Sequence, residues 1–159
     1  MADEIVRQTI REIEPLSADD AVGSAARKVI AAGLPALPAV EADGSFAGVF
    51  GEREFMTALF PGYVGELGSA AMISRSVDET IERRSECAEQ PIREYMTTGA
   101  GILVEADYSD TQLVEIFIHH RVSIVPIATE GRVHSVVTRR DFFRELVGRF
   151  GEIAEDLGH

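Results

Sequence analysis

Apolar and polar positions in the first half of the chain predict four elements and a turn. Helical spacing over 22–30 is followed by an apolar run over 34–40, which is too rich in proline for a helix interior and favours a strand. Asp43-Gly44 is a hairpin signal, residues 46–50 predict the next strand, and residues 52–59 predict a helix. The first half is therefore predicted to run helix, strand, hairpin, strand, helix.

The second half of the chain repeats this order. Helical spacing over 113–118 is followed by the proline-bearing run 122–127, and Glu130-Gly131 marks the turn. Residues 133–137 predict the next strand, and residues 139–147 predict the last helix. Both halves therefore predict the same supersecondary unit.

Corresponding residues of the two halves are separated by a nearly constant offset. Pro38 and Pro126 lie 88 positions apart, and the acids Glu54 and Asp141 lie 87 apart. The one-residue difference between the two offsets falls in the hairpin turn, where a change of loop length costs the least stability. We interpret the sequence as an internal duplication.

Two short motifs in each half carry a family resemblance. They are 122–126 (VSIVP) and 135–141 (SVVTRRD), with weaker counterparts at 34–38 and 48–54. Each half resembles a cystathionine-β-synthase (CBS) domain, and two in tandem resemble a Bateman module. The resemblance implies an α/β (α+β) fold of two CBS-type βαββα repeats, packed sheet to sheet about a pseudo-twofold axis. It also implies two clefts between the repeats, where adenosine-containing ligands commonly bind.

The sequence divides into four predicted segments. We place the first CBS repeat at 1–60, a helical connector at 61–90, the second CBS repeat at 91–148 and a C-terminal helical tail at 149–159. The connector begins where Pro61-Gly62 would end the preceding helix.

Composition excludes several classes of partner. A formal net charge of -12 argues against binding to a nucleic-acid backbone, which requires a basic surface. The chain has a single cysteine, so an internal disulfide is impossible and a reducing compartment is expected. No signal-peptide pattern occurs at the N-terminus, and no stretch approaches the roughly 18 apolar residues that a membrane span needs. We expect a cytoplasmic protein without a membrane partner.

The start of the last predicted helix is the candidate ligand site. Thr138 and Asp141 have the spacing of a hydroxyl at the N-cap and an acid at N3, and the simplest interpretation of this stretch alone is a helix cap with solvated arginines. The same groups suit a nucleotide, because a helix start can bind phosphate and a carboxylate can accept from a ribose diol. The resemblance assigns Thr138 to phosphate or ribose oxygens and Asp141 to the ribose. Arg139 or Arg140 is expected to face phosphate, and Val136 belongs to the same motif.

The resemblance completes this cleft with residues of the other half, here Thr9 and Leu34. This side departs from the family pattern, because Pro35 lacks an amide and Glu12 and Glu14 bring negative charge.

In the opposite cleft, Gly51 and Glu54 replace the hydroxyl and the aspartate, and Glu52 would repel phosphate. We therefore expect one nucleotide site per chain.

No catalytic apparatus is visible in the sequence. His119 and His120 are adjacent, so on a helix their side chains diverge by roughly 100° and cannot share a metal ion. Nucleophile-elbow and phosphate-loop motifs do not occur. We expect no enzymatic activity, no metal site and no required cofactor, with an adenine nucleotide acting as a regulatory ligand.

Apolar residues continue at helical spacing into the predicted tail. They are Phe143, Leu146, Val147, Phe150, Ala154 and Leu157. Such a stripe either folds back on its own domain or meets another subunit. Because paired modules of the family often form disc-like dimers through their helices, we expect a homodimer.

Two functional hypotheses remain. The first is a ligand-sensing module that binds an adenine nucleotide (AMP, ADP or ATP) and passes the change to a protein partner that the sequence does not identify. The second is a scaffold that keeps the fold for dimerisation or docking and has lost its ligand.

Overall fold

The computed structural model describes residues 4–61 and 76–158, so part of the predicted connector (62–75) lies outside the described residues. The helices are α1 (Glu4–Thr9), α2 (Val22–Ala32), α3 (Glu52–Leu59), α4 (Val77–Arg83), α5 (Asp110–His119) and α6 (Arg139–Leu157). The strands are β1 (Arg11–Glu12), β2 (Leu16–Ser17), β3 (Ala36–Val40), β4 (Phe46–Gly51), β5 (Val104–Glu105), β6 (Ile124–Thr129) and β7 (Arg132–Thr138). Short 3₁₀ turns occupy Ser85–Glu89, Ile92–Glu94 and Ala100–Ile102.

The chain forms two compact units that interleave along the sequence. The Asp141 unit comprises Met1–Glu14, Gly44–Phe46 and Gly99–His159. The Glu54 unit comprises Pro15–Asp43 and Ala47–Thr98. Residues 4–14 therefore fold with the second repeat, although they precede the first.

The Asp141 unit contains a four-stranded sheet in the order β1-β7-β6-β5. The central hairpin pairs β6 with β7 in antiparallel register, and β5 pairs with β6 in parallel. Residues 124–128 of β6 are all buried, as expected for a strand whose sequence is a continuous apolar run. The short strand β1 adds to the free edge of β7, antiparallel, and this pairing places the N-terminal segment beside the start of α6.

The Glu54 unit contains a three-stranded sheet in the order β2-β3-β4. The outer edge of β4 is extended by one isolated bridge, in which Val49 and Thr97 exchange both backbone hydrogen bonds at 2.8 and 2.9 Å. Thr97 therefore occupies in this sheet the position that β1 occupies in the sheet of the Asp141 unit.

Strand register repeats with the offset expected from the sequence. Leu16 pairs with Ala39 in the Glu54 unit, and Val104 pairs with Ile127 in the Asp141 unit. Both partners are shifted by 88 positions between the two pairs. The duplication predicted from Pro38 and Pro126 is thus visible in the register of the strands.

A backbone hydrogen bond at the start of the last helix of each repeat also repeats at this offset, to within one residue. The Arg139 amide donates to the Ser123 carbonyl at 2.9 Å, and the Glu52 amide donates to the Pro35 carbonyl at 2.9 Å. The two donors are 87 positions apart and the two acceptors 88. The mixed α/β fold with two small sheets agrees with the predicted fold class.

Helix α6 continues through the predicted boundary between repeat and tail. It runs without a break from Arg139 to Leu157, although Gly148 and Gly151 lie within it. A Cβ at either glycine would meet no atom within 4 Å, because this part of the helix is surrounded by solvent. Among the described residues, every helix is either too short or too polar to span a lipid bilayer.

Candidate functional site

Thr138 joins the buried end of β7 to the start of α6. It is 4% exposed and has extended backbone angles (φ -85°, ψ 147°), as an N-cap residue requires. Its Oγ1 accepts a hydrogen bond from the Asp141 amide at 3.0 Å. The predicted cap is therefore present, and it fixes the hydroxyl and the acid on the same helical turn.

Asp141 is held by an arginine that the sequence analysis did not single out. Arg11 Nε donates to Asp141 Oδ2 at 2.6 Å, and Arg11 Nη2 donates to Asp141 Oδ1 at 3.0 Å. The aspartate side chain is 16% exposed and the arginine side chain 49%. Such a two-pronged contact between a guanidinium and a carboxylate is strong and directional.

The pKa of Asp141 reflects these neighbours. Burial raises the pKa of the carboxyl, but the hydrogen bonds and charge of Arg11, together with Thr138 and Arg144, lower it more. The pKa of Asp141 therefore lies below its ordinary value, and the group is an acceptor-only carboxylate at neutral pH.

Strand β1 positions Arg11. In the antiparallel pairing Arg11 lies opposite Val136, and Glu12 lies opposite Ser135. Successive side chains of a strand point to opposite faces, so Arg11 is directed to the face opposite that of Glu12. Residues 10–13 (IREI) show no alternation of charged and apolar positions, so the sequence carries no periodic signal for this short edge strand.

The amides at the start of α6 are less open than the sequence suggested. The Arg139 amide donates to the Ser123 carbonyl, and the Asp141 amide donates to the Thr138 hydroxyl. The side chains of Arg139 and Arg140 are exposed. Positive charge for a phosphate is therefore offered by side chains here, more than by free amides.

The remaining predicted residues lie in different surroundings. Val136 is fully buried in the sheet, where its side chain belongs to the core. Thr9 is buried at the end of α1, and its hydroxyl donates to the Ile5 carbonyl at 2.7 Å, which leaves it only acceptor capacity. Leu34 is buried in the Glu54 unit. The structure thus brings Thr138, Asp141, Val136, Arg139, Arg140 and Thr9 into one unit and places Leu34 in the other.

At the equivalent helix start in the first repeat, neighbouring residues fill the space that a side chain at Gly51 would need. A Cβ on Gly51 would overlap the Pro35 carbonyl oxygen and would lie 2.5 Å from the Ala36 Cα. A hydroxyl-bearing side chain therefore does not fit at this position. Glu54 is 7% exposed, and the Thr97 hydroxyl donates to its Oε2 at 2.7 Å. The packing around Gly51 thus explains why this position, which corresponds to Thr138, carries no hydroxyl.

Comparison with known proteins identifies the second repeat. Residues 92–148 match the family model described as the CBS domain. No curated protein matches the chain.

Solved structures of CBS-domain proteins share the fold of the whole chain. The CBS domain of a CBS-domain-containing membrane protein from Sphaerobacter thermophilus is 18% identical, with a TM-score of 0.63 over 84% of this chain and 82% of that one. A CBS-domain-containing protein from Agrobacterium tumefaciens is 20% identical, with a TM-score of 0.63 over 88% of each chain. CBSX2, solved in complex with AMP, is 12% identical, with a TM-score of 0.63 over 90% of this chain and 96% of that one. Residues 92–148 thus match the CBS domain, and the chain has the mixed α/β fold of CBS-domain proteins, consistent with a tandem pair.

Proposed function

We propose that this protein is a regulatory module that binds an adenine nucleotide beside Thr138 and Asp141. The observation that carries the proposal is the start of α6, where a hydroxyl and a carboxylate are fixed on one turn among arginine side chains. A nucleotide presents the complementary chemistry, namely two hydroxyl donors on its ribose and anionic oxygens on its phosphate.

Each group at the helix start has a distinct role in the proposed complex. The Asp141 carboxylate accepts hydrogen bonds from the ribose diol. The Thr138 hydroxyl, which accepts a hydrogen bond from the Asp141 amide in the observed cap, directs its own proton to a ligand oxygen. The exposed guanidinium groups of Arg139 and Arg140 pair with phosphate oxygens. Contacts from Val136, Thr9 and Leu34 remain predictions that follow from the family resemblance.

We expect one site per chain. In the Glu54 unit the equivalent helix start has no room for a hydroxyl at Gly51, and its carboxylate belongs to a glutamate that is only 7% exposed. The negative charge of Glu52, at the first position of α3, further disfavours phosphate there.

A protein of the same fold has been solved with a ligand of this class. CBSX2 was crystallised in complex with AMP. This supports an adenine nucleotide as the class of ligand to test first, although the sequence identity of 12% transfers the fold alone.

The proposal includes the setting in which the module acts. We expect a cytoplasmic homodimer that needs no cofactor, has no catalytic activity of its own and regulates a protein partner. Nucleic acid and membranes are not expected partners, since the net charge is -12.

A thermal-shift assay tests the proposal. AMP, ADP, ATP and S-adenosylmethionine are each added to the wild type, to Asp141→Ala and to Glu54→Ala. A ligand at 100 times its Kd stabilises the native state by about 2.7 kcal/mol, so a binding ligand should raise the Tm of the wild type by several degrees.

We expect Asp141→Ala to lose this rise and Glu54→Ala to keep it. The two variants remove carboxylates at equivalent positions, so each is the control for the other. Each also removes a native contact and lowers the ligand-free Tm, so the ligand-induced change is the quantity to compare. Loss of the rise in Glu54→Ala alone would place the ligand at the other helix start.

The alternative is a ligand-free scaffold, and one observation favours it. The apolar stripe on α6 is exposed, with Phe150 at 74%, as on a surface that docks to another protein. This alternative predicts that no adenine ligand at millimolar concentration shifts the Tm of the wild type.

A further inference from the structure

Arg11 binds the Asp141 carboxylate, which is also the group that the proposed ligand would bind. Its Nε and Nη2 donate to the two different oxygens of Asp141, at 2.6 and 3.0 Å. A ribose diol would also approach both oxygens, because its two hydroxyls are adjacent. The guanidinium fork and the ribose therefore compete for the same edge of the carboxylate.

Displacing Arg11 leaves a guanidinium without its carboxylate. Glu12 follows it on β1 and points to the opposite face of the strand, so it cannot replace Asp141. The Arg11 side chain is 49% exposed, so water can solvate the displaced group, but only an anion close to the start of α6 would replace the lost ion pair. A phosphate bound there would supply one, whereas the ribose and the base would not.

We infer that Arg11 makes this site selective for adenine ligands that carry a phosphate. The inference rests on the proposed function, because it concerns the same site. In the free protein Arg11 blocks the ribose position, and adenosine must break the ion pair without replacing it. AMP breaks the same pair but offers Arg11 its phosphate. Arg11 is thus a specificity-determining residue, which discriminates against adenosine and against the cationic S-adenosylmethionine.

Isothermal titration calorimetry with AMP and with adenosine tests this inference. The variants are Arg11→Gln, which removes the guanidinium, and Arg11→Lys, which keeps the charge without the fork. Arg7→Gln is the matched control, because Arg7 is an exposed arginine of the same N-terminal segment. It removes the same charge without touching Asp141.

Arg11→Gln should bind adenosine about three- to fivefold more tightly than the wild type, as expected for loss of a partly exposed ion pair. Its preference for AMP over adenosine should fall on the order of tenfold, because the phosphate also loses a partner. Arg11→Lys should show an intermediate preference, and Arg7→Gln should match the wild type.

The failure of this inference can be distinguished from failure of the proposed function. If the wild type binds AMP but Arg11→Gln keeps the same AMP-to-adenosine ratio, Arg11 does not set the specificity and the proposed function stands. If Arg7→Gln changes the ratio as much as Arg11→Gln does, the effect is one of net charge and the inference is wrong. If neither the wild type nor Arg11→Gln binds any adenine ligand, both proposals fail.

Discussion

Asp141 has two structural roles. It lies in the first turn of α6, where a negative charge is favourable to the helix dipole, and it pairs with Arg11 across 130 positions of sequence. The helix position could be predicted from sequence, because a cap and its N3 residue are local. The ion pair could not, because it depends on the pairing of a two-residue strand with the edge of β7.

The lowered pKa of Asp141 gives a prediction for stability against pH. A carboxyl whose pKa is lower in the folded than in the unfolded state stabilises the fold above its unfolded pKa, and this contribution is lost as the pH falls through the folded pKa. Asp141→Asn should therefore be less stable than the wild type by about 1 kcal/mol at pH 7. The difference should narrow as the pH falls below the ordinary value of 3.8.

Urea unfolding at a series of pH values from 7 downwards measures this difference. The result that contradicts the assignment is a gap between wild type and Asp141→Asn that stays constant to the lowest pH. Such a gap would mean that the asparagine perturbs packing and that the charge of Asp141 contributes little.

Gly51 offers a second test on a single residue. Gly51→Ala should destabilise the protein by about 1–3 kcal/mol, because the added methyl group overlaps Pro35 and Ala36. Gly148→Ala is the control, and we expect it to change the stability in the opposite direction. It lies in open solvent within α6 and should stabilise the protein by about 0.5–1 kcal/mol. Chemical denaturation of both variants checks the pair, and a neutral Gly51→Ala would show that the first repeat has room for a hydroxyl after all.

The helices and hairpins were largely predictable, because their signals are local. The predicted helix over 52–59 coincides with α3, and the two hairpins form at the Asp43-Gly44 and Glu130-Gly131 turns. The two-residue strands β2 and β5 were predicted only through the βαββα order that the family resemblance implies, and no residue range was assigned to them. They are too short to show periodicity, and they form only because a neighbouring strand offers unpaired backbone groups.

Helix α6 covers both the predicted last helix and the predicted helical tail in one continuous element. Its stripe lies on the solvent-exposed side of one continuous helix, where Phe143, Val147, Phe150 and Leu157 are all more than half exposed. Nothing in the described part of the chain folds back to cover these side chains. Of the two predicted fates of the stripe, contact with another subunit is the one that the structure leaves open.

We predict that the protein is a homodimer through this stripe. Light scattering should give twice the chain mass of 17.3 kDa at tens of micromolar. Phe150→Glu should shift the protein to monomer, because a charge would be buried in an apolar contact. Phe150→Met keeps an apolar side chain and should remain dimeric. A wild-type monomer, or a dimer that survives Phe150→Glu, would exclude the stripe as the interface.

The duplicated halves are similar in register but unequal in chemistry. Equivalent positions hold Thr138 and Gly51, and likewise Asp141 and Glu54. The sequence alone could predict this inequality, since the offset aligns the residues. It could not show that Arg11 and Thr97 occupy the partner positions of the two acids, because the segments that carry them fold into units that interleave along the chain. The interleaving comes from the pairing of edge strands, which leaves no periodic signal.

The most direct test of the proposed nucleotide site is a crystal structure of the protein grown or soaked with millimolar AMP. We predict density for one AMP per chain, with its ribose hydroxyls within hydrogen-bonding distance of the Asp141 carboxylate, and no nucleotide beside Glu54. We also predict that Arg11 has left Asp141 and contacts the phosphate. Density for AMP beside Gly51 and Glu54, or no density at either helix start, would show that the site has been assigned wrongly.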